Sequence, residues 1–132
     1  MHELLLETAG GALAAGALFL ALARTIPQFA RVPAARAAAL VTSSTAEELF
    51  WRWGVLSGLA AVLGIAPAFA LATLGFALAH WRQAGLLSVR VHIGTGATFG
   101  VLYVATGNVL SPIVAHAGYN LLVAGACAGA RA

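Results

Sequence analysis

The chain has very little charge. Of its 132 residues 8% are charged and 61% hydrophobic, with a mean hydropathy of +0.93; an ordinary soluble domain carries roughly 25% charged residues. Lys and Asp are absent, so every base is Arg and every acid is Glu. The lack of Asp excludes an aspartate dyad. One cysteine, Cys127, excludes a disulfide framework within the chain; near the end of the last apolar run it reads as a buried small hydrophobe. No basic stretch precedes the first apolar run, where Glu3 and Glu7 stand instead, so a cleaved signal peptide is not expected. The net charge of +3 calls for no nucleic acid, because membrane proteins collect Arg in their cytoplasmic loops.

What is present is apolar sequence, in five segments. The first runs from about Leu4 to Ala23. A basic connector with Arg24, Arg31 and Arg36 follows, broken by Pro27 and Pro33. The second ends near Ile65, and its start is ambiguous: residues 34–42 could extend it, yet Ser43-Ser44-Thr45 before Glu47 and Glu48 has capping-box spacing. Pro67 opens the third, which ends near His80-Trp81. The fourth covers about Ile93 to Thr106, and the fifth about Ser111 to Ala130, with Pro112 in its first turn. His92 falls in the loop between the third and fourth segments, where it is expected to be solvated.

This predicts an all-α fold, a polytopic membrane bundle of about five transmembrane helices, some short or recessed. With the first helix running inward, Arg24, Arg31, Arg36, Arg82, Arg90 and Arg131 all fall on one side. The positive-inside rule then puts the N-terminus outside and the C-terminus in the cytoplasm. The Ala and Arg bias points to a GC-rich bacterial genome, hence to a bacterial inner membrane.

Ionisable groups in a span cost roughly 2.5–3.5 kcal/mol each, and persist where they pair, face a cavity or act chemically. Within the apolar segments the list is short: Glu47, Glu48, Arg52, His80, His116 and Asn120. Glu48 and Arg52 are four apart and can neutralise each other on one helix face. Phe76 and His80 share that spacing, as do His116 and Asn120. Glu47 lies about 100° around the helix from Glu48, free of the Arg52 pair. Two His and a carboxylate are also a conceivable zinc or iron set, although no His-Glu-x-x-His motif occurs.

Glu47-Glu48-x-x-x-Arg52, Phe76-x-x-x-His80 and His116-x-x-x-Asn120 resemble the three motifs of the CAAX protease and bacteriocin-processing (Abi) family of intramembrane endopeptidases. The resemblance covers residues 40–125 and suggests two parts: an N-terminal helix and connector over 1–36, and a protease core over 37–132. It implies a glutamate protease without a resident metal. Glu47 would be the general base that activates water, His80 would hold that water, and His116 and Asn120 would stabilise the oxyanion. Glu48 and Arg52 would support the site, and Phe76 and Trp51 would line the pocket. The substrate would be a membrane-associated peptide or protein, and not a prenylated CAAX protein if the host is bacterial. Family members usually carry more N-terminal helices, so a second copy or a partner subunit is expected to complete the short bundle. A metal-dependent peptidase of the same architecture, and a non-catalytic peptide-binding or immunity protein, are the alternatives.

One difficulty is depth. His80 ends its segment near the Arg-rich side, and His116 begins its own near the opposite side. The third and fourth segments, at about 14 residues or roughly 21 Å, fall short of the ~30 Å hydrocarbon core. The Thr106-Gly107-Asn108 turn is therefore expected to dip into a wet cavity, bringing Asn108 near the site.

Overall fold

Pro33 has no amide hydrogen to leave unpaired and a φ of −56°, so it starts a helix at no cost to the ladder. From it, in a computed structural model that describes residues 2–22 and 29–130, one rod runs unbroken to residue 63. Helix α2 (Ala34–Glu48) passes into a π-helical stretch (Leu49–Leu56) and then α3 (Ser57–Leu63). Ser43, Ser44 and Thr45 lie inside α2, so the capping-box start is not used. In apolar surroundings the Ser43 and Thr45 hydroxyls donate back to the carbonyls of Leu40 and Val41, and the helix continues through them.

Around this rod stand α1 (His2–Leu22), α4 (Ile65–Ala79), α5 (Trp81–Thr106) and α6 (Leu110–Gly129). The described residues thus form five helical rods and no strand, an all-helical bundle as the hydropathy implied. Gly64, at φ 80°, supplies the left-handed residue that lets α4 fold straight back on α3. Arg24 and Arg131 of the predicted inner-side set lie outside the described residues, as do the side chains of Glu3 and Glu7.

The expected fourth segment is too short. Residues 81–92 are helical, not a loop. Gly85, at φ 62°, ends a first turn after His80, and Gly85–Thr106 then runs back along α4. Gly85–Thr106 and Leu110–Gly129 are long and apolar enough to cross a membrane, and Thr8–Leu22 and Ile65–Ala79 are shorter apolar helices.

Polarity is inverted relative to a water-soluble domain. Leu13, Val62, Leu71, Leu74, Leu87, Ile93 and Val101 are exposed, whereas Ser44, Glu48, Arg52, Thr95 and His116 are buried. An apolar exterior over a polar interior suits hydrocarbon. Small residues let the helices approach: Gly11 of α1 packs on the backbone of Ser111 in α6, and Gly118 of α6 faces Ala15. Phe29, ahead of α2, packs at a tilt against Phe19 of α1 with ring centres 5.6 Å apart, and the Ala30 amide donates to the Gly125 carbonyl. These contacts hold α1 and α6 together at the back of the site.

Candidate active site

The two adjacent glutamates point into different surroundings. Glu48 is fully buried, its Oε2 3.0 Å from Arg52 Nε and its Oε1 2.7 Å from His116 Nδ1. Arg52 reaches across to α5, donating from Nη2 to the Gly96 carbonyl at 3.0 Å. Its guanidinium carbon lies 4.5 Å from the centre of the Phe76 ring and 5.7 Å from that of Phe99. The cation is therefore held by a carboxylate, a carbonyl and two aromatic faces, and one nitrogen, Nη1, is left buried without a partner. Removing one member of such a pair costs about 3–5 kcal/mol.

Glu47 instead keeps 32% of its side-chain surface open and lines a cavity of about 290 Å³. From α2 the cavity receives Arg36, Leu40, Ser43 and Glu47, a single helical stripe. His80 at the end of α4 and His92 of α5 form one wall. His116, Asn120, Val123, Ala124 and Cys127 of α6 form the other.

His80 Nδ1 lies 2.8 Å from the Phe76 carbonyl, which can only accept, so this nitrogen carries the hydrogen. Its Nε2 then faces Glu47 Oε2 across 3.4 Å with no hydrogen bond between them. Asn120 donates from Nδ2 to the buried Ser44 hydroxyl at 3.0 Å, which leaves its second N–H and its oxygen uncommitted by that bond. Phe76, fully buried, is the hub beneath: its ring lies 4.8 Å from His80, 5.7 Å from His92, 5.8 Å from His116 and 6.4 Å from Trp51.

The structure thus gathers Glu47, His80, His116 and Asn120 on one cavity, with Glu48 and Arg52 behind it. Trp51 packs behind Phe76 and against Gly75 and does not line the cavity; Phe76 forms the layer below. Asn108 is not brought in. Its Oδ1 accepts from the Leu110 amide, which makes it a cap of α6. The two sides of the site meet at one level because α5 begins right after His80 and doubles back, placing Phe99 on His116 with ring centres 4.7 Å apart. Among the described residues, no group of three or more His, Cys, Asp or Glu side chains is placed to hold a metal ion.

Several residues in or behind the cavity escaped the sequence reading. His92, expected in a loop, is helical and half-buried on the cavity wall; Ser88-x-x-x-His92 repeats the four-residue spacing of the motifs and was the available signal. Ser44 looked like a cap and is a buried hydrogen-bond partner instead. Arg36 looked like part of a connector. Cys127 is exposed, not buried, and lines the cavity.

A comparison with protein-family models matches residues 28–122 to "Rce1-like: Type II CAAX prenyl endopeptidase Rce1-like". The chain belongs to this family. No curated protein and no solved structure matches it significantly. Membership makes the Rce1-like chain a CAAX-type endopeptidase integral to the membrane, and the match spans every cavity-lining residue named above except Val123, Ala124 and Cys127.

Proposed function

We propose that this Rce1-like protein is an intramembrane glutamate endopeptidase that hydrolyses a peptide bond of a membrane-associated peptide or protein. The observation that carries the reading is the pair of acceptors, Glu47 Oε2 and His80 Nε2, set 3.4 Å apart beside a cavity that both residues line. Neither can donate to the other while Glu47 is ionised and His80 holds its hydrogen on Nδ1. A water held from the cavity side by the Glu47 carboxylate and His80 Nε2 gives one hydrogen to each and turns a lone pair outward. That lone pair attacks the substrate carbonyl carbon as Glu47 takes the proton. The carbonyl oxygen becomes an oxyanion, stabilised by the free N–H of Asn120 and by His116, which offers Nε2–H when protonated against Glu48. As the C–N bond breaks, the amine leaving group collects the proton held by Glu47, and the carboxylate is regenerated.

The charges support this division of labour. Arg52 is committed to Glu48, so Glu47 stands outside that ion pair and lines the cavity. We place the protein in a bacterial inner membrane, N-terminus outside and C-terminus in the cytoplasm, from the Arg distribution. A second copy or partner subunit would complete the bundle, and the reaction itself needs no resident metal.

Glu47→Gln decides the matter when tested in detergent on membrane peptides that the wild type cuts. Loss of cleavage with binding retained supports catalysis by this carboxylate, and retained cleavage rejects it. Inhibition of the wild type by a chelator, reversed by zinc, would select the metal-dependent alternative.

A further inference from the structure

His80 sits where a helix ends, at φ −93° and ψ −1°, a place where a side chain is poorly constrained by its own backbone. Yet its ring is enclosed. Phe76 lies against it at 4.8 Å and 53°, and on α5 the His92 ring stacks on it at 3.9 Å and 12°, nearly parallel. The backbone is held as well, because the Ser88 hydroxyl donates to the His80 carbonyl at 3.0 Å. His92 is anchored in turn: its Nδ1 lies 2.7 Å from the Ser88 carbonyl and so donates there, with the Ser88 hydroxyl 3.2 Å away.

We propose that His92, seated on Ser88, is a positioning residue: its ring is the plate that keeps His80 Nδ1–H on the Phe76 carbonyl and His80 Nε2 aimed at Glu47. A ring held between Phe76 and His92 cannot rotate about its Cβ–Cγ bond without displacing one of them. Without the plate, the ring tilts into the cavity, the Nδ1 bond breaks and the hydrogen moves between the two nitrogens. The water would then lose one of its acceptors. Misplacement of a catalytic group by about 1 Å can cost on the order of 10²-fold in rate. The effect is expected on turnover, because in this reading His80 holds the water and not the peptide.

This inference rests on the reading of Glu47 and His80 as the water-activating pair, so its test has one arm that does not involve activity. Protein labelled with ¹⁵N-histidine and held in detergent is compared as wild type, His92→Phe, His92→Ala and Ser88→Ala. In the wild type and His92→Phe, His80 is expected as a single Nδ1–H tautomer. In His92→Ala its two nitrogen signals average. Turnover should fall by about tenfold or more in His92→Ala with KM changed less than about twofold, whereas His92→Phe, which keeps the plate, retains most of it. Ser88→Ala moves both readouts the same way by a smaller amount, and carries the test if His92→Ala does not fold.

A His80 that stays a single tautomer with normal turnover in His92→Ala overturns the proposal. So does a His92→Phe variant as inactive as His80→Ala with the His80 tautomer intact, because His92 would then act on the substrate itself. If the tautomers behave as expected but Glu47→Gln still cleaves, the plate stands and the proposed reaction falls.

Discussion

Glu48 and His116 are joined by a 2.7 Å contact between side chains 68 positions apart, linking the rod of α2 to α6 in the interior of the bundle. Glu47, one residue earlier, makes no such commitment and faces the cavity. Two neighbouring residues of identical chemistry are thereby separated into one tied into the bundle interior and one open to the cavity, and their variants should fail in different ways.

Glu47→Gln should leave thermal stability almost unchanged, since the side chain is one-third exposed and outside the buried ion pair. Its cleavage rate should fall by about 10²–10⁴-fold, the usual contribution of a general base. Melting curves in detergent and initial rates on one peptide check both halves.

Glu48→Ala should lose stability first, by about 3–5 kcal/mol, because Arg52 is left buried without its carboxylate. Replacing both partners together, Glu48→Leu with Arg52→Met, should recover much of that loss. Activity should not return, since His116 would still lack its partner. A double-variant cycle on melting temperature and turnover tests the separation.

Ser44→Ala removes the hydroxyl that accepts from Asn120. One hydrogen bond is worth about 0.5–1.5 kcal/mol net, so turnover should drop by up to about tenfold as the amide loses its fixed orientation. Asn120→Ala should do more harm than Ser44→Ala. The reverse order would show that the amide is not needed at the oxyanion.

Gly96→Ala would put a methyl carbon 2.8 Å from the Phe76 ring, directly behind the carbonyl that receives Arg52. Overpacking of this kind typically costs about 1–3 kcal/mol. The variant should melt earlier than the wild type, and Phe76→Leu in the same background should relieve part of the loss. Gly58→Ala, where nothing lies within 4 Å, is the neutral control.

Cys127 is the single thiol in the sequence and lies exposed on the cavity wall. A bulky thiol reagent should therefore block cleavage, and a short one such as a methylthio group should inhibit much less. Cys127→Ala should be active and resistant to both. Inhibition that persists in Cys127→Ala would mean that the reagent acts elsewhere.

The four-residue spacings were legible in the sequence because they need only one property, a continuous helix through each motif. Glu48 with Arg52, Phe76 with His80 and His116 with Asn120 do share their faces. The number of rods was legible for a similar reason, since apolar length sets it. What failed were boundaries marked by polar residues. Arg82 and Arg90 made residues 81–92 look like a loop, yet the segment is helical, with both arginines exposed and Ser88 and Val89 between them buried. The serines of α2 misled in the opposite sense: a capping signal written for water becomes a string of helix-internal hydrogen bonds in an apolar setting. The π-helical stretch over Leu49–Leu56 has no sequence signature that could have announced it. There the Ser57 hydroxyl donates to the Arg52 carbonyl and meets the Tyr103 hydroxyl at 2.7 Å.

The placement of Glu48's partners has a consequence for biogenesis. Arg52 travels with it on the same rod, but His116 is translated 68 residues later, on α6. Until that helix arrives, the α2 rod offers the translocon a segment with four charged side chains, too polar to settle alone among acyl chains. The nascent chain therefore carries Glu48 without its second partner until α6 has been made, and the cavity gains its far wall only when that helix docks.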